Sequence, residues 1–307
     1  MDTDRTRRPF SVPRVSQTSP AHERRTLFLG GSVVHRRPIG GRPNSQAPAG
    51  EPLFTMEKPL VEAWPGTDST GAAYSSHLDL WNDEEKKSSW YKKTLEHWAA
   101  QDATVNGVLG GFPETSEPDL RESRRFLKMV RRPTDPPSQR GTVLDCGAGI
   151  GRVTEGLLVH EFGQVDLVEP NVRLLEAARE QIRNAKVDRF INSSLEQFQP
   201  EEGRYDTIWA QWVLLYLTDD DLVSFFERCK KGLTRDGLIF VKENVVLEGQ
   251  WIVDRDDNSI SRTDAMYKDI FRKAGLVLQH ELKQEGRTVI ASEWHMSANG
   301  GRSPQKE

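Results

Sequence analysis

The chain is expected to fold as a doubly wound α/β domain around a mostly parallel seven-stranded sheet. Three observations carry this. From Thr142 onward short apolar runs alternate with segments of helical period, the pattern of a parallel sheet covered on both faces. A glycine-rich turn directly follows the first of those runs. Near the C-terminus, Leu276 to Leu282 and Thr288 to Trp294 flank a polar, Gly-containing turn, and would close the sheet as a hairpin.

Residues 1–75 are rich in Arg, Pro, Ser and Gly and show no sustained period of 2 or 3.6, which predicts a disordered tail. Its arginines, among them Arg5, Arg7, Arg8, Arg24 and Arg25, raise the possibility of a mitochondrial transit peptide, and Asp2, Asp4 and Glu23 argue against one. Order is expected over 83–296, with 83–130 as a helical lid and 297–307 as a second disordered tail. Trp90, Leu95 and Trp98 share one face of the first helix. A turn, Asn106 to Phe112, precedes a helix from Leu120 to Val130, and Pro133, Pro136 and Pro137 break the chain after it.

The core elements then follow in order. Strands are expected at Thr142 to Asp145, Gln164 to Val168, near Phe190, Tyr205 to Trp209 and Gly237 to Lys242. Helices are expected at Arg152 to Glu161, Asn171 to Asn184, Asp220 to Gly232 and Thr263 to Ala274.

Composition narrows the function. A net charge of -4 gives no overall pull toward nucleic acid or an anionic membrane, so neither is an expected partner. The most apolar stretch, Trp209 to Leu217, contains Gln211 and falls far short of the roughly 20 residues that span a bilayer. Cys146 and Cys229 are the only cysteines, which suits a reducing compartment, and both are read as structural. No metal site is expected.

The first core strand runs into Asp145-Cys146-Gly147-Ala148-Gly149-Ile150-Gly151-Arg152. Glycines here let the backbone turn sharply and approach a ligand at the carboxyl end of the strand. The G-x-G-x-G spacing differs from the G-x-G-x-x-G of a dinucleotide loop and favours S-adenosylmethionine. Glu169, at the end of the second strand, can accept hydrogen bonds from both ribose hydroxyls. Ser194-Leu195-Glu196 follows the third strand, within reach of the adenine. Singly, such signals are more often a plain turn or a surface acid; in register they converge on one cofactor.

Beyond the fourth strand stand Trp212 and Tyr216, at the edge where substrate must meet the cofactor, although buried aromatics are more often core. Asn244 ends the fifth strand. Asp254, Asp256, Asp257 and Ser259 form an acidic cluster before Arg262, whose plainest reading is a solvated loop capping the helix near Thr263; Asp256 is read that way.

Leu-Asp-Cys-Gly-Ala-Gly-Ile-Gly-Arg, Ile-Trp-Ala-Gln-Trp-Val, Lys-Glu-Asn with the later Asp-x-x-Asp-x-Ser, and the segment Trp98 to Gly111 together resemble the protein α-N-terminal methyltransferase family, a Rossmann-like class I S-adenosylmethionine-dependent group. The resemblance spans about Trp90 to Trp294. It implies methylation, up to three times, of the free α-amine of proteins that begin X-Pro-Lys after removal of the initiator Met, ribosomal proteins included, by a monomer in the cytoplasm and nucleus. Residue by residue, it implies that Gly147, Gly149, Arg152, Glu169, Leu195, Glu196 and Gln211 hold the cofactor, with Arg152 on its carboxylate. Trp212 would stack on the substrate proline, Asn244 hold the first carbonyl, Asp254 and Ser259 the third-position lysine, and Asp257 the α-amine. Trp98 and Leu109 would roof the pocket.

The sequence departs from that pattern in places. Tyr216 replaces a His common in the family and cannot act as a base near neutrality unless strongly perturbed, but it can hydrogen-bond the amine, which leaves Asp257 more of the catalytic role. Glu169 and Glu196 stand for an Asp and a Gln, and His97 for a Tyr. Two alternatives remain: the same enzyme class acting on a small molecule or a lysine side chain, and a cofactor-binding subunit without catalysis.

Overall fold

The computed structural model describes residues 64–130, 141–246, 249–285 and 290–297, all within the unit Thr55–Glu307. In chain order the elements are β1 (Gly66–Asp68), β2 (Ala73–Tyr74), α1 (Glu84–Ala100), α2 (Val105–Val108), α3 (Ser116–Val130) and β3 (Thr142–Cys146). A π-helical turn, Thr154–Leu158, leads into α4 (Val159–Glu161). Then come β4 (Gln164–Val168), α5 (Val172–Gln181), β5 (Val187–Ile191), β6 (Tyr205–Gln211), α6 (Asp219–Gly232), β7 (Leu233–Val245), β8 (Trp251–Asp254), β9 (Ser259–Ser261), α7 (Asp264–Lys273), β10 (Val277–Glu285) and β11 (Ile290–Ser297).

The seven-stranded sheet has the order β10-β11-β7-β6-β3-β4-β5. The five strands from β7 to β5 are parallel, and β11 runs antiparallel to both its neighbours. The apolar strand runs exist because both faces are covered. Along β3 and β6 alternate side chains enter opposite cores. Leu144, Ile208 and Ala210 pack with Phe225 and Phe226 of α6 and Phe271 of α7. Val143 and Trp209 pack with Phe126 and Leu127 of α3, Leu157 of the π turn and Ala178 of α5. Trp209 stacks on Phe240 at 5.3 Å between ring centres. Cys146 and Cys229 are buried thiols in the first of these cores.

Helix starts follow local chemistry. Asp83 accepts from the Lys86 amide at 2.8 Å and fixes the start of α1; Thr218 caps α6 and Thr263 caps α7. The predicted elements from β3 to β11 are all present with small changes of boundary. One is longer than expected: β7 begins at Leu233, because the ladder to β6 shifts register between Tyr205 and Thr207 and takes up the extra residues.

Three expectations need correction. Residues 64–75 are not part of a disordered tail, since β1 and β2 join β8 and β9 in a second sheet of order β2-β1-β8-β9. Each is too short to carry a period, and β1 pairs in parallel with β8, a partner far away in sequence. The sheet packs on α1 through Trp81, Trp90, Trp251, Val253 and Ile260. The cluster from Asp254 to Ser259 is no simple loop but the tip of the β8–β9 hairpin, with Asp254 facing Ser259 across the ladder. Asp256 therefore caps nothing at α7; it lies exposed at the tip, where its amide donates to Asp254 Oδ1 at 2.9 Å. Residue Ser297 ends β11 rather than opening a tail. The remaining tail residues 1–63 and 298–307 and the proline segment 131–140 lie outside the described residues.

Candidate active site

The carboxyl ends of β3, β4 and β6 open on one cavity, which α1 and α2 roof. The loop after β3 turns through positive φ at Gly147, Gly149 and Gly151, a conformation L side chains rarely adopt. A Cβ on Gly147 would come within 2.3 Å of Val213, and one on Gly149 would point into the gap below Val108 of α2. That gap is a cradle that a side chain would fill, and its glycine-lined floor fits the close approach of a cofactor.

Glu169 closes one wall. Its Oε2 accepts from the Gly149 amide at 2.9 Å and its Oε1 from the Asn171 amide at 2.8 Å, so each oxygen keeps a lone pair for a further donor. Burial pushes its carboxyl from 4.5 up to about 7, against the pull of those two amides. The sign then follows. Protonation removes one acceptor, so affinity for S-adenosylhomocysteine should fall as pH drops through about 7 and level off above it. The raised value also means that this group's contribution to the stability of the unliganded fold is full below 4.5 and is lost as pH rises toward 7. Titration calorimetry between pH 6 and 8 checks the first statement, and Glu169→Gln should flatten the dependence.

Leu195 and Glu196 also line the cavity, and Arg228 of α6 pins them by donating to their carbonyls at 2.7 and 3.2 Å. Arg152 reaches the cavity from the far side of the glycine loop. Its guanidinium donates to Asp119 Oδ2 at 2.8 Å and sits 5.3 Å from the centre of the Trp212 ring. Asp119 also accepts from Gln211 Nε2 at 2.9 and 2.8 Å, and lies 2.6 Å from Lys242 Nζ. With Trp209 donating to Gln211 Oε1 at 3.1 Å, the Gln211 amide has both ends engaged by protein. Gln211 therefore positions Asp119 and the cavity wall.

Asp119 was not visible as a site residue, since acids are common in a charged helix such as α3. The available signal was its place on the buried stripe that continues through Ser123, Phe126 and Leu127.

Trp212 follows β6 in the left-handed region, with φ of 53°. The next turn is held from beneath by Glu243, whose Oε1 accepts from the Val213 and Leu214 amides at 2.8 and 2.7 Å. Burial pushes this carboxyl up to about 8. Among the described residues neither Glu243 Oε2 nor Trp212 Nε1 has a hydrogen-bond partner. Of the Lys-Glu-Asn run it is Glu243, rather than Asn244, that shapes the cavity. Asn244 is half-buried on β7 and does not line it.

Tyr216 and Trp98 meet edge to face at 6.0 Å in the cavity wall, which Leu109 also lines. His97 packs edge-on to Trp98 and stays outside the lining. Burial first, and Asp257 second, push the Tyr216 hydroxyl well above its ordinary value, so it remains a donor. It donates to Asp257 Oδ2 at 3.3 Å, while Asp257 Oδ1 accepts from the Ser259 amide at 2.9 Å. Asp254, Asp257 and Ser259 thus stand together on the hairpin, beyond the cavity lining and joined to it through Tyr216. The hairpin is tied to the lid, because Thr94 donates to the Asp257 carbonyl and Asn258 to that of Trp90. Among the described residues no group of His, Cys, Asp and Glu could hold a metal, and no helix is long and apolar enough to cross a membrane.

Comparison with known proteins places this geometry. A family model described as AdoMet dependent proline di-methyltransferase matches residues 86–289. The chain is 39% identical over 236 residues to alpha N-terminal protein methyltransferase 1 of Arabidopsis thaliana, covering 72% of this chain and 85% of that one. It is 40% identical over 205 residues to N-terminal Xaa-Pro-Lys N-methyltransferase 1 of Mus musculus, covering 66% and 91%. A solved SAM-dependent methyltransferase of Leishmania major superposes with a TM-score of 0.70 at 35% identity, over 80% of this chain and 99% of that one.

Proposed function

The chain belongs to the AdoMet dependent proline di-methyltransferase family, and on that premise we propose that it transfers methyl groups from S-adenosylmethionine to the free α-amine of proteins that begin X-Pro-Lys once the initiator Met is gone. The observation that carries the acceptor is one cavity lined by a glycine cradle and Glu169 together with Trp212, Trp98 and Tyr216, with Tyr216 leading to Asp257.

When bound, S-adenosylmethionine supplies a methyl group on a sulfonium, which is a good leaving group. The protein's part is therefore position and a neutral amine. Gly147 and Gly149 admit the cofactor backbone to the loop, Glu169 accepts from the ribose, and Arg152 pairs with the carboxylate while keeping its contact to Asp119. Leu195 and Glu196 flank the adenine. Trp212 offers a planar face to the substrate proline, and Trp98 with Leu109 excludes water above it.

An α-amine titrates at roughly 7.7 to 8.0, so losing its proton needs only a modest base. Asp257 orients the amine and takes that proton directly or through water as the amine lone pair forms the new N–C bond and the sulfur keeps the old bonding pair. Tyr216, fixed as a donor to Asp257, aims the carboxylate. Asp254 and Ser259 receive the ammonium of the third residue. Basic proteins with processed termini, ribosomal ones among them, fit this acceptor. We place the activity in the cytoplasm and nucleus, where such termini are exposed, and assign it to a monomer because one chain carries both halves of the site.

The direct test is methyl transfer to a Ser-Pro-Lys peptide, followed by mass spectrometry beside the same peptide acetylated at its amino terminus. Mass steps of one methyl unit on the free peptide alone are expected, and their number gives the degree of methylation with Tyr216 in place. Equal methylation of both peptides would move the acceptor to a lysine side chain.

A further inference from the structure

The strap of β1 and β2 precedes the residues that the family model matches, and it meets the fold at the substrate hairpin. Ser69 donates to the Val253 carbonyl at 2.8 Å, and the Arg255 amide donates to Ser69 Oγ at 3.0 Å. Arg255 is the one cation of the tip, set between Asp254 and Asp256 and two residues from Asp257. Its side chain turns to the strap: Nε donates to Asp68 Oδ2 at 3.0 Å, Nη2 to the Tyr74 hydroxyl at 2.6 Å, and the guanidinium lies 5.6 Å from the centre of the Tyr74 ring.

Asp68 is built for this. It is buried, and it accepts from the Thr70 amide and hydroxyl, the Ala72 amide and the Tyr74 hydroxyl as well as from Arg255. Those donors, the Thr70 hydroxyl foremost, hold its carboxyl well below the usual range, so it is an anion at any working pH. Among the described residues Asp254 and Asp257 belong to no ion pair, although a guanidinium is tethered within one and two residues of them. A guanidinium released there would pair with one of them, since charge-assisted bonds to carboxylates are the strong ones.

We propose that the strap is a specificity element for the substrate's basic third residue, in which Asp68 and Tyr74 sequester Arg255 so that Asp254 is left for the incoming ammonium of that residue and Asp257 for the α-amine. Asp68 is thus a positioning residue, acting through Arg255 by removing an internal competitor. The inference rests on the X-Pro-Lys reading of the site.

The test uses the full chain with S-adenosylhomocysteine bound, and calorimetric binding of two peptides, Ser-Pro-Lys and Ser-Pro-Gln at the amino terminus. Wild type should prefer the Lys peptide. Asp68→Asn should weaken the Lys peptide by about tenfold, through the unpaired cation beside the site, and the Gln peptide by less than about twofold. Adding Arg255→Gln to that variant should restore the Lys peptide, and S-adenosylhomocysteine affinity should stay constant throughout. Equal weakening of both peptides, no weakening, or no restoration overturns the proposal. If Asp68→Asn fails to fold, Arg255→Gln alone decides: it should bind the Lys peptide at least as well as wild type, and a clear loss overturns the proposal by making Arg255 a direct contributor. Wild type that binds neither peptide, or both alike, sinks the X-Pro-Lys reading first and this inference with it.

Discussion

Asp257→Asn should lower kcat/KM for a Ser-Pro-Lys peptide by about 10² to 10³, the lower part of the span typical of a positioned proton acceptor. The substitution is close to isosteric, and an Asn oxygen can still accept from the Ser259 amide that now donates to Oδ1. The hairpin should therefore keep its shape, held also by Thr94 at the Asp257 carbonyl. What is lost is the charge that Tyr216 faces at 3.3 Å and the only acceptor for a proton among the groups placed at the amine. Tyr216 cannot take over, because burial keeps its hydroxyl protonated. Steady-state kinetics at saturating cofactor, with S-adenosylhomocysteine binding as a control, make the measurement. A loss of only a few-fold with cofactor affinity intact would take the base assignment away from Asp257.

Glu169→Ala should raise the Kd for S-adenosylhomocysteine by about 100-fold, from loss of two hydrogen bonds to a charged acceptor at about 1.5 kcal/mol each. The backbone feels the change as well. Gly149 and Asn171 both donate to this carboxylate, so its removal frees the glycine loop at the point where the cofactor passes. Melting of the unliganded protein should shift far less than affinity, because the same substitution removes a buried carboxyl whose value is raised to about 7 by desolvation. An unaltered Kd would remove the ribose role.

The two substitutions separate the halves of the cavity. Asp257 should act on turnover of peptide and leave cofactor binding alone, whereas Glu169 should do the reverse. Between them lies the Trp212 turn, braced by Glu243, with Arg152 shared between Asp119 and the Trp212 ring. That turn, on the ends of β6 and β7, therefore stands between a cofactor half carried by the ends of β3 and β4 and an acceptor half carried by the β8–β9 hairpin.

The amino-acid sequence by itself determined the order and type of the core elements, the cofactor loop and the acid after β4. These are local properties. An apolar run such as Leu238–Val241, a helix start with Asp83 or Thr218 at its head, and three glycines at positive φ each carry their physical cause within a few neighbouring residues. Aromatic residues just past a strand end, Trp212 and Tyr216, were legible for the same reason, as the carboxyl edge of a parallel sheet is where ligands bind.

Only the tertiary structure decided the rest. Asp68, Asp119 and Glu243 are buried carboxylates whose roles come from donors distant in the chain: Arg255 for the first, Gln211, Arg152 and Lys242 for the second, the turn after β6 for the third. The strap and the β8–β9 hairpin are likewise too short to show a period. They exist because β1 finds the edge of β8, and the hairpin is braced by α1. Burying a carboxyl group is tolerable only where donors converge on it; Asp68 draws some from its own turn, at Thr70, Ala72 and Tyr74, but those of Asp119 and Glu243 are brought together by the packing of the whole fold.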